Sequence, residues 1–333
     1  MTRSDKKIYR LLRSAVALGL VLLILAGCGG KAAAFGFGKK GKGMGEEEAA
    51  EIYARAVEAA KGRDSVPEAY RTECPGEKEE RNEKGFIDYS RTEDGYVTVC
   101  FTAATQSKIK AQVKGPESTY TYAVAPGGEN VLPLTEGNGS YTVTLLENVG
   151  DTRYAVFVSA SFEAKIRDEF SPFLRSNRYV NYADAPVASA VAEILTDGLT
   201  DPMDCVKKVF EFVLARLEYD KVQAATVQDG YVPDLDDVLE RQTGICFDYA
   251  SLMTAMLRSR GIPCRLVVGY AANAYHAWIN VWSEEEGWID KVVYFDGKGW
   301  QRMDPTFSDA NVSDKTLKEY IGDGSNYTPK YYY

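Results

Sequence analysis

The chain has 333 residues, with 48 Asp and Glu against 39 Lys and Arg, a formal net charge of −9 at pH 7 and a single histidine. An acidic balance of this size argues against nucleic acid as a partner. Any histidine-dependent chemistry has to use His276, because there is no other imidazole.

Residues 1–28 read as a targeting segment, to be set aside from the fold. Arg3, Lys6, Lys7, Arg10 and Arg13 form a basic start, and residues 15–26 are an apolar run shorter than the roughly 20 residues of a bilayer span. The run ends in Leu25-Ala26-Gly27-Cys28. These four residues resemble the lipobox of bacterial lipoproteins, which implies a lipid on Cys28, membrane attachment through the lipidated N-terminus and an extracytoplasmic location. Residues 29–84 read as a flexible tether and a helical stalk. Glycine-rich chain is flexible, and Lys31, Lys39, Lys40 and Lys42 either meet anionic headgroups or simply keep the tether soluble. Residues 46–61 have helical spacing with Glu46, Glu47 and Glu48 at the positive end of the dipole, but their apolar face is thin.

From 85 to 166 the pattern changes to period two. Lys108-Ile109-Lys110-Ala111-Gln112-Val113-Lys114 alternates cleanly, and Gly127-Gly128 and Gly137-Asn138-Gly139 supply turn signals. Several short strands at this spacing lead to a small immunoglobulin-like β-sandwich. Its aromatics, Tyr120 and Tyr122 among them, suit core or cross-strand positions.

Residues 167–333 form the second domain, with helices expected over 186–199, 201–219 and 234–241 and a loop over 222–231. Asp234, Asp236 and Asp237 crowd together, but they lack the glycine and distal glutamate of a calcium loop. Asp234 is therefore expected as a helix cap, and the chain is expected to need no metal and no cofactor. Cys246 follows Gly244 and opens a helix with Ala250, Leu252, Met253, Met256 and Leu257 on one face. Gly261-Ile262-Pro263 ends it. A thiol at a helix N-terminus sits among free N–H groups at the positive end of the dipole, and both favour the thiolate. Strands follow over 264–270 and 275–282, the latter carrying His276. A third adjacent strand at 300–303 is expected to deliver Asp304. A thiol, an imidazole and a carboxylate in this order are the parts of a nucleophile, its base and the group that orients the base.

Gly-x-Cys-x-x-Tyr-Ala at 244–250, Arg-x-x-Gly-Ile-Pro at 258–263, Val-x-Gly-Tyr at 267–270, His-Ala-Trp at 276–278 and Asp-Pro-Thr at 304–306 together resemble the transglutaminase-like superfamily, the papain-related thiol enzymes. The resemblance covers roughly the last half of the chain. It implies an α+β papain-like core, with the Cys-bearing helix packed on an antiparallel sheet. It also implies a triad of Cys246, His276 and Asp304 and acyl transfer from amides of a protein or peptide through a thioester. Members include cross-linkers, peptidases, amidases and silent relatives. Hydrolysis is the simpler expectation for an exposed cleft. The contrasting reading is a catalytically silent envelope module that binds a peptide or wall polymer. Gln242, four residues upstream, is a candidate oxyanion donor, as in some papain relatives. The segment 282–299 is longer than the hairpin of compact members and is expected as a flap. Cys74, Cys100, Cys205 and Cys264 allow three pairings, while Cys100 and Cys264 read most simply as buried small residues.

Overall fold

The computed structural model describes residues 43–333, apart from 65, 272–273, 286, 290–292, 296–299 and 303–326. The lipobox with Cys28 and the triad candidate Asp304 lie outside the described residues.

Helix α1 (Glu46–Ala59) starts with three glutamates, where the dipole favours negative charge. Its narrow stripe of Ala49, Ile52 and Ala56 is buried, and the helix packs on α2 (Pro186–Thr196) and α3 (Pro202–Arg216). The stalk expected from that thin stripe is instead a packed helix. Small residues let it lie close to its partners, and the Arg216 guanidinium covers the Tyr53 ring at 3.9 Å.

Eight strands follow. β1 (Glu79–Asn82), β2 (Gly85–Asp88), β3 (Tyr96–Phe101) and β6 (Glu129–Pro133) pair antiparallel in the order β1-β2-β3-β6. β4 (Ile109–Lys114), β5 (Thr119–Val124), β7 (Gly139–Gly150) and β8 (Arg153–Ala164) form a second antiparallel sheet, β5-β4-β7-β8. Strand β4 buries Ile109, Ala111 and Val113 and turns Lys110, Gln112 and Lys114 outward, as its alternation requires. The sheets meet where Phe101 packs edge-on against Phe157 at 5.4 Å and Asn82 donates to the Phe157 carbonyl at 2.6 Å.

The C-terminal half is built around α6 (Cys246–Ser259). Its Tyr249, Leu252, Met253, Ala255, Met256 and Leu257 are completely buried. The helix is flanked by α2, α3 and α5 (Leu235–Arg241) and lies on β11 (Cys264–Ala271) and β12 (Ala274–Ser283). The sheet order is β13-β12-β11-β16, with β13 (Gly287–Ile289) and β16 (Tyr327–Tyr332) at its edges. Caps fall where the sequence puts them. Asp201 accepts from Met203 N at 2.8 Å, and Asp234 accepts from Asp237 N at 3.1 Å. Asp236 reaches the N-terminus of α2 and accepts from the N–H groups of Val187 and Ala188.

Three expectations change. The loop over 222–231 begins as a short helix, α4 (Lys221–Thr226), because Asp220 caps it through Gln223 N at 2.7 Å. The expected third strand of the sheet is β15 (Trp300–Arg302), which pairs instead with β14 (Val293–Phe295) in a separate two-stranded sheet. The place beside β11 is filled by β16 from the aromatic tail. Of the segment expected as a flap, Gly287–Ile289 is an ordinary third strand against β12.

Candidate active site

Cys246 is the first residue of α6 and is half-buried. The ladder of the helix opens with Tyr249 N donating to Ile245 O at 3.1 Å. The N–H groups of Cys246 and Phe247 precede that bond and have no intrahelical acceptor. They face the same end of the helix as the thiol and can polarise a carbonyl or bind an oxyanion.

The start of α6 is held from below by Asp248. Its side chain is completely buried. The carboxylate accepts from Ile245 N at 2.8 Å and from the Tyr231 hydroxyl at 2.6 Å, and it pairs with Arg241 Nη2 at 3.3 Å. Burial raises the Asp248 carboxyl, and the Tyr231 hydroxyl, the Ile245 N–H and Arg241 oppose that shift. Tyr231 is pushed up to about 12, by burial first and then by the Asp248 carboxylate. Gly244 makes the arrangement sterically possible. A Cβ there would lie 2.8 Å from Asp248 Cβ and 3.1 Å from its Oδ2, so the glycine of the Gly-x-Cys motif leaves room for the buried carboxylate.

His276 lies near the start of β12, opposite Gly269 of β11, and is 7% exposed. Its ring stacks on Trp278 at 6.4 Å and meets Tyr327 of β16 at 6.4 Å and 66°. Gly269 is required at this crossing. A Cβ would fall 2.2 Å from Thr328 O and 2.9 Å from Trp278 Cη2. Tyr275, the residue before His276, is 59% exposed and packs edge-on against Tyr270 at 5.5 Å. Its phenol is pushed up to about 12, by partial burial first and then by the hydroxyls of Tyr331, Tyr270 and Tyr179 and the Cys246 thiol. Helix α6, which carries Cys246, packs on β12, the strand that carries His276.

The remaining candidates divide. Gln242 ends α5 in the left-handed region, at φ 60. With its carboxamide turned to suit both partners, its oxygen accepts from Arg216 Nη1 at 2.9 Å and Nη2 at 3.3 Å. The same guanidinium donates to Leu239 O. These contacts make Gln242 part of the junction between α3 and α5 and give no support to the expected oxyanion role. Among the described residues no group of three or more His, Cys, Asp or Glu side chains is placed to hold a metal.

Two buried charged residues carry little sign of their roles in the sequence. Asp248 lies inside the Gly-x-Cys motif, and its only signal is an acid in the first turn, which reads as ordinary capping. Arg258, in the Arg-x-x-Gly-Ile-Pro motif, is fully buried. It donates to the carbonyls of Cys264 at 2.8 Å, Arg175 at 2.9 Å and Tyr333 at 2.5 Å.

Residues 189–305 match the family model of the transglutaminase-like superfamily. The uncharacterized protein YebA of Bacillus subtilis is 24% identical over 235 residues, covering 66% of this chain and 31% of that protein. A protein-glutamine gamma-glutamyltransferase of Pseudomonas aeruginosa is 32% identical over 120 residues, covering 31% of this chain and 17% of the relative. The uncharacterized protein ML0607 of Mycobacterium leprae is 26% identical over 175 residues, covering 48% and 53%. The chain thus spans about half or less of the length of each of these relatives.

Proposed function

We propose, from the premise that residues 189–305 are a transglutaminase-like domain, that the protein is a thiol enzyme performing acyl transfer at amide bonds of a protein or peptide. The observation that carries the reading is the placement of Cys246. It is the first residue of a buried helix, beside first-turn N–H groups that have no intrahelical acceptor, and that helix packs on the strand of His276. In the first half-reaction Cys246 Sγ attacks the amide carbonyl carbon. The N–H groups at the helix start receive the developing oxyanion, the C–N bond breaks, and His276 gives its proton to the leaving amine. In the second, water or an amine loses a proton to His276 and attacks the thioester, and the thiolate leaves. Asp304 is assigned the orientation of the imidazole. The named transglutaminase relative speaks for an amine acceptor, and water is the alternative acceptor.

Within the same reading the two sheets of 79–164 are an immunoglobulin-like sandwich. Support comes from the strand order, in which the chain passes from one sheet to the other between β3 and β4, returns with β6 and crosses again to β7. Cys28 carries lipid and holds the protein at the outer side of a bacterial membrane, so Cys28→Ser is expected to release it from the membrane fraction. Membrane retention of that variant would refute the anchor.

The test of activity is incubation of the purified protein with a peptide library and a labelled primary amine, read by mass spectrometry. Cleavage or amine incorporation that disappears in Cys246→Ala is expected. Activity that survives Cys246→Ala would overturn the reading.

A further inference from the structure

The carboxylate of Asp248 has more partners than a helix cap requires. An acid at the third position of a helix reaches back to the N-cap N–H, and the bond to Ile245 N does that. Such a residue ordinarily stays at the surface. Here the side chain is completely buried and is gripped by two groups from outside the helix, Tyr231 from the loop before α5 and Arg241 from the last turn of α5. A buried carboxylate costs free energy unless it is paired and hydrogen-bonded, so the site is built to keep a charge in place. That charge is two residues from Cys246, in the same helical turn.

We infer that Asp248 is a positioning residue for the candidate nucleophile: latched by Tyr231 and Arg241, it fixes the first turn of α6 and sets the electrostatic field in which the Cys246 thiol ionises. The inference rests on the thiol-enzyme reading. The helix N-terminus favours the thiolate, the buried carboxylate opposes it, and Arg241 offsets part of that opposition. The other titratable groups near this point are His276 of β12, which the proposed triad pairs with the thiol, Tyr275 of the same strand, Asp237 of α5, whose carboxylate lies 3.6 Å from Arg241 Nε, and Tyr219, whose ring lies 6.4 Å from Tyr249. None of them shares the first turn with the thiol.

The experiment follows alkylation of Cys246 by iodoacetamide against pH, by mass spectrometry of the intact chain. Asp248→Asn keeps an acceptor for Ile245 N–H and removes the charge. The midpoint of alkylation is expected to fall by about one pH unit, the order of shift that removing a like-signed charge from the neighbourhood of a thiol produces. Asp248→Glu keeps the charge and is expected to leave the midpoint near that of the wild type. An Asp248→Asn midpoint that is unchanged or higher would overturn the inference. If Asp248→Asn shows no cooperative melt, Arg241→Met serves in its place. Losing the countercharge is expected to move the midpoint upward, and no movement counts against the inference. A wild-type Cys246 no more reactive than Cys74 would instead sink the thiol-enzyme reading itself, so the two failures are distinct.

Discussion

At the scale of single residues, the five described cysteines, all free, are not equivalent. Burial pushes the thiols of Cys74 and Cys264 up to about 12 and raises those of Cys100 and Cys205. Among the described cysteines only Cys246 heads a helix, where the first N–H groups have no intrahelical acceptor. Iodoacetamide is therefore expected to label Cys246 at least about tenfold faster than any other described cysteine near neutral pH. Its rate should rise through the pH at which the thiol ionises. His276→Ala removes a neighbouring cation under the proposed triad, so the same rise should come at higher pH. Equal labelling of Cys246 and Cys74, or a profile indifferent to His276→Ala, would remove the support for a thiolate–imidazolium pair. Arg258 makes a stability prediction of a different kind. Its guanidinium bridges three backbone carbonyls from three segments, and burial pushes its ionisation down to about 10. Arg258→Met should leave those carbonyls without their donor and cost about 2–4 kcal/mol, read as a lower midpoint in denaturant with an unchanged slope. A midpoint within error of the wild type would show that the carbonyls find other partners. The proposed thiol and imidazole are suggested by motif order within the local sequence. The role of Arg258 could not be read there, because its partners Arg175 and Tyr333 lie far away in the chain, and Asp248 in a first helical turn looks like an ordinary cap until its burial is known.

At the scale of elements, the readable parts were those whose causes are local. Alternation in β4, the Asp201 and Asp234 caps and the end of α6 all fall within a few residues. That end is a complete Schellman arrangement. Gly261 takes φ +76 and donates to Arg258 O, and Ile262 N donates to Leu257 O at 3.1 Å. Sheet neighbours were not readable in the same way. Residues 300–302 do form a strand, but which strand it joins is decided by tertiary packing, since strand preference reports context more than backbone. The position beside β11 goes to β16, whose tyrosines suit either a core strand or a free tail when seen in isolation. Their register depends on Gly269, where the β11–β16 pairing shifts and a Cβ would collide with Thr328 O. Gly269→Ala should therefore loosen β16 and cost about 1–3 kcal/mol. Hydrogen exchange of the amides of 327–332 should quicken more than that of β12. Unchanged protection in β16 would mean that the strand absorbs the methyl by a small slide.

At the scale of the whole molecule, the two halves of the described chain share one aromatic core. Tyr333 is buried against Tyr120 and Tyr122 of β5 at 5.7 and 5.6 Å and against Tyr179 at 4.9 Å, and Tyr179 in turn meets Phe247, the neighbour of Cys246, at 5.3 Å. The Leu266 and Tyr333 backbones exchange hydrogen bonds at 2.8 and 3.0 Å, which ties the same residue to the sheet beneath α6. On the other side, the buried stripe of α1 closes over α2 and α3. Residues 167–333 are long enough to bury a core of their own, and a fragment of that length is proposed to fold. It would do so with the faces of Tyr179 and Tyr333 exposed on one side and the α1 groove open on the other. Burying aromatic and small apolar surface of this kind stabilises by about 25 cal/mol per Å², so the fragment should melt well below the protein spanning 43–333. The longer chain should unfold in a single cooperative transition observed alike by tyrosine fluorescence and far-ultraviolet circular dichroism. Adding back 43–166 as a separate polypeptide should recover part of the lost stability in a concentration-dependent way. Equal melting temperatures for the fragment and the longer chain would mean that the tyrosine contacts contribute little, and the catalytic half would then stand as an independent domain.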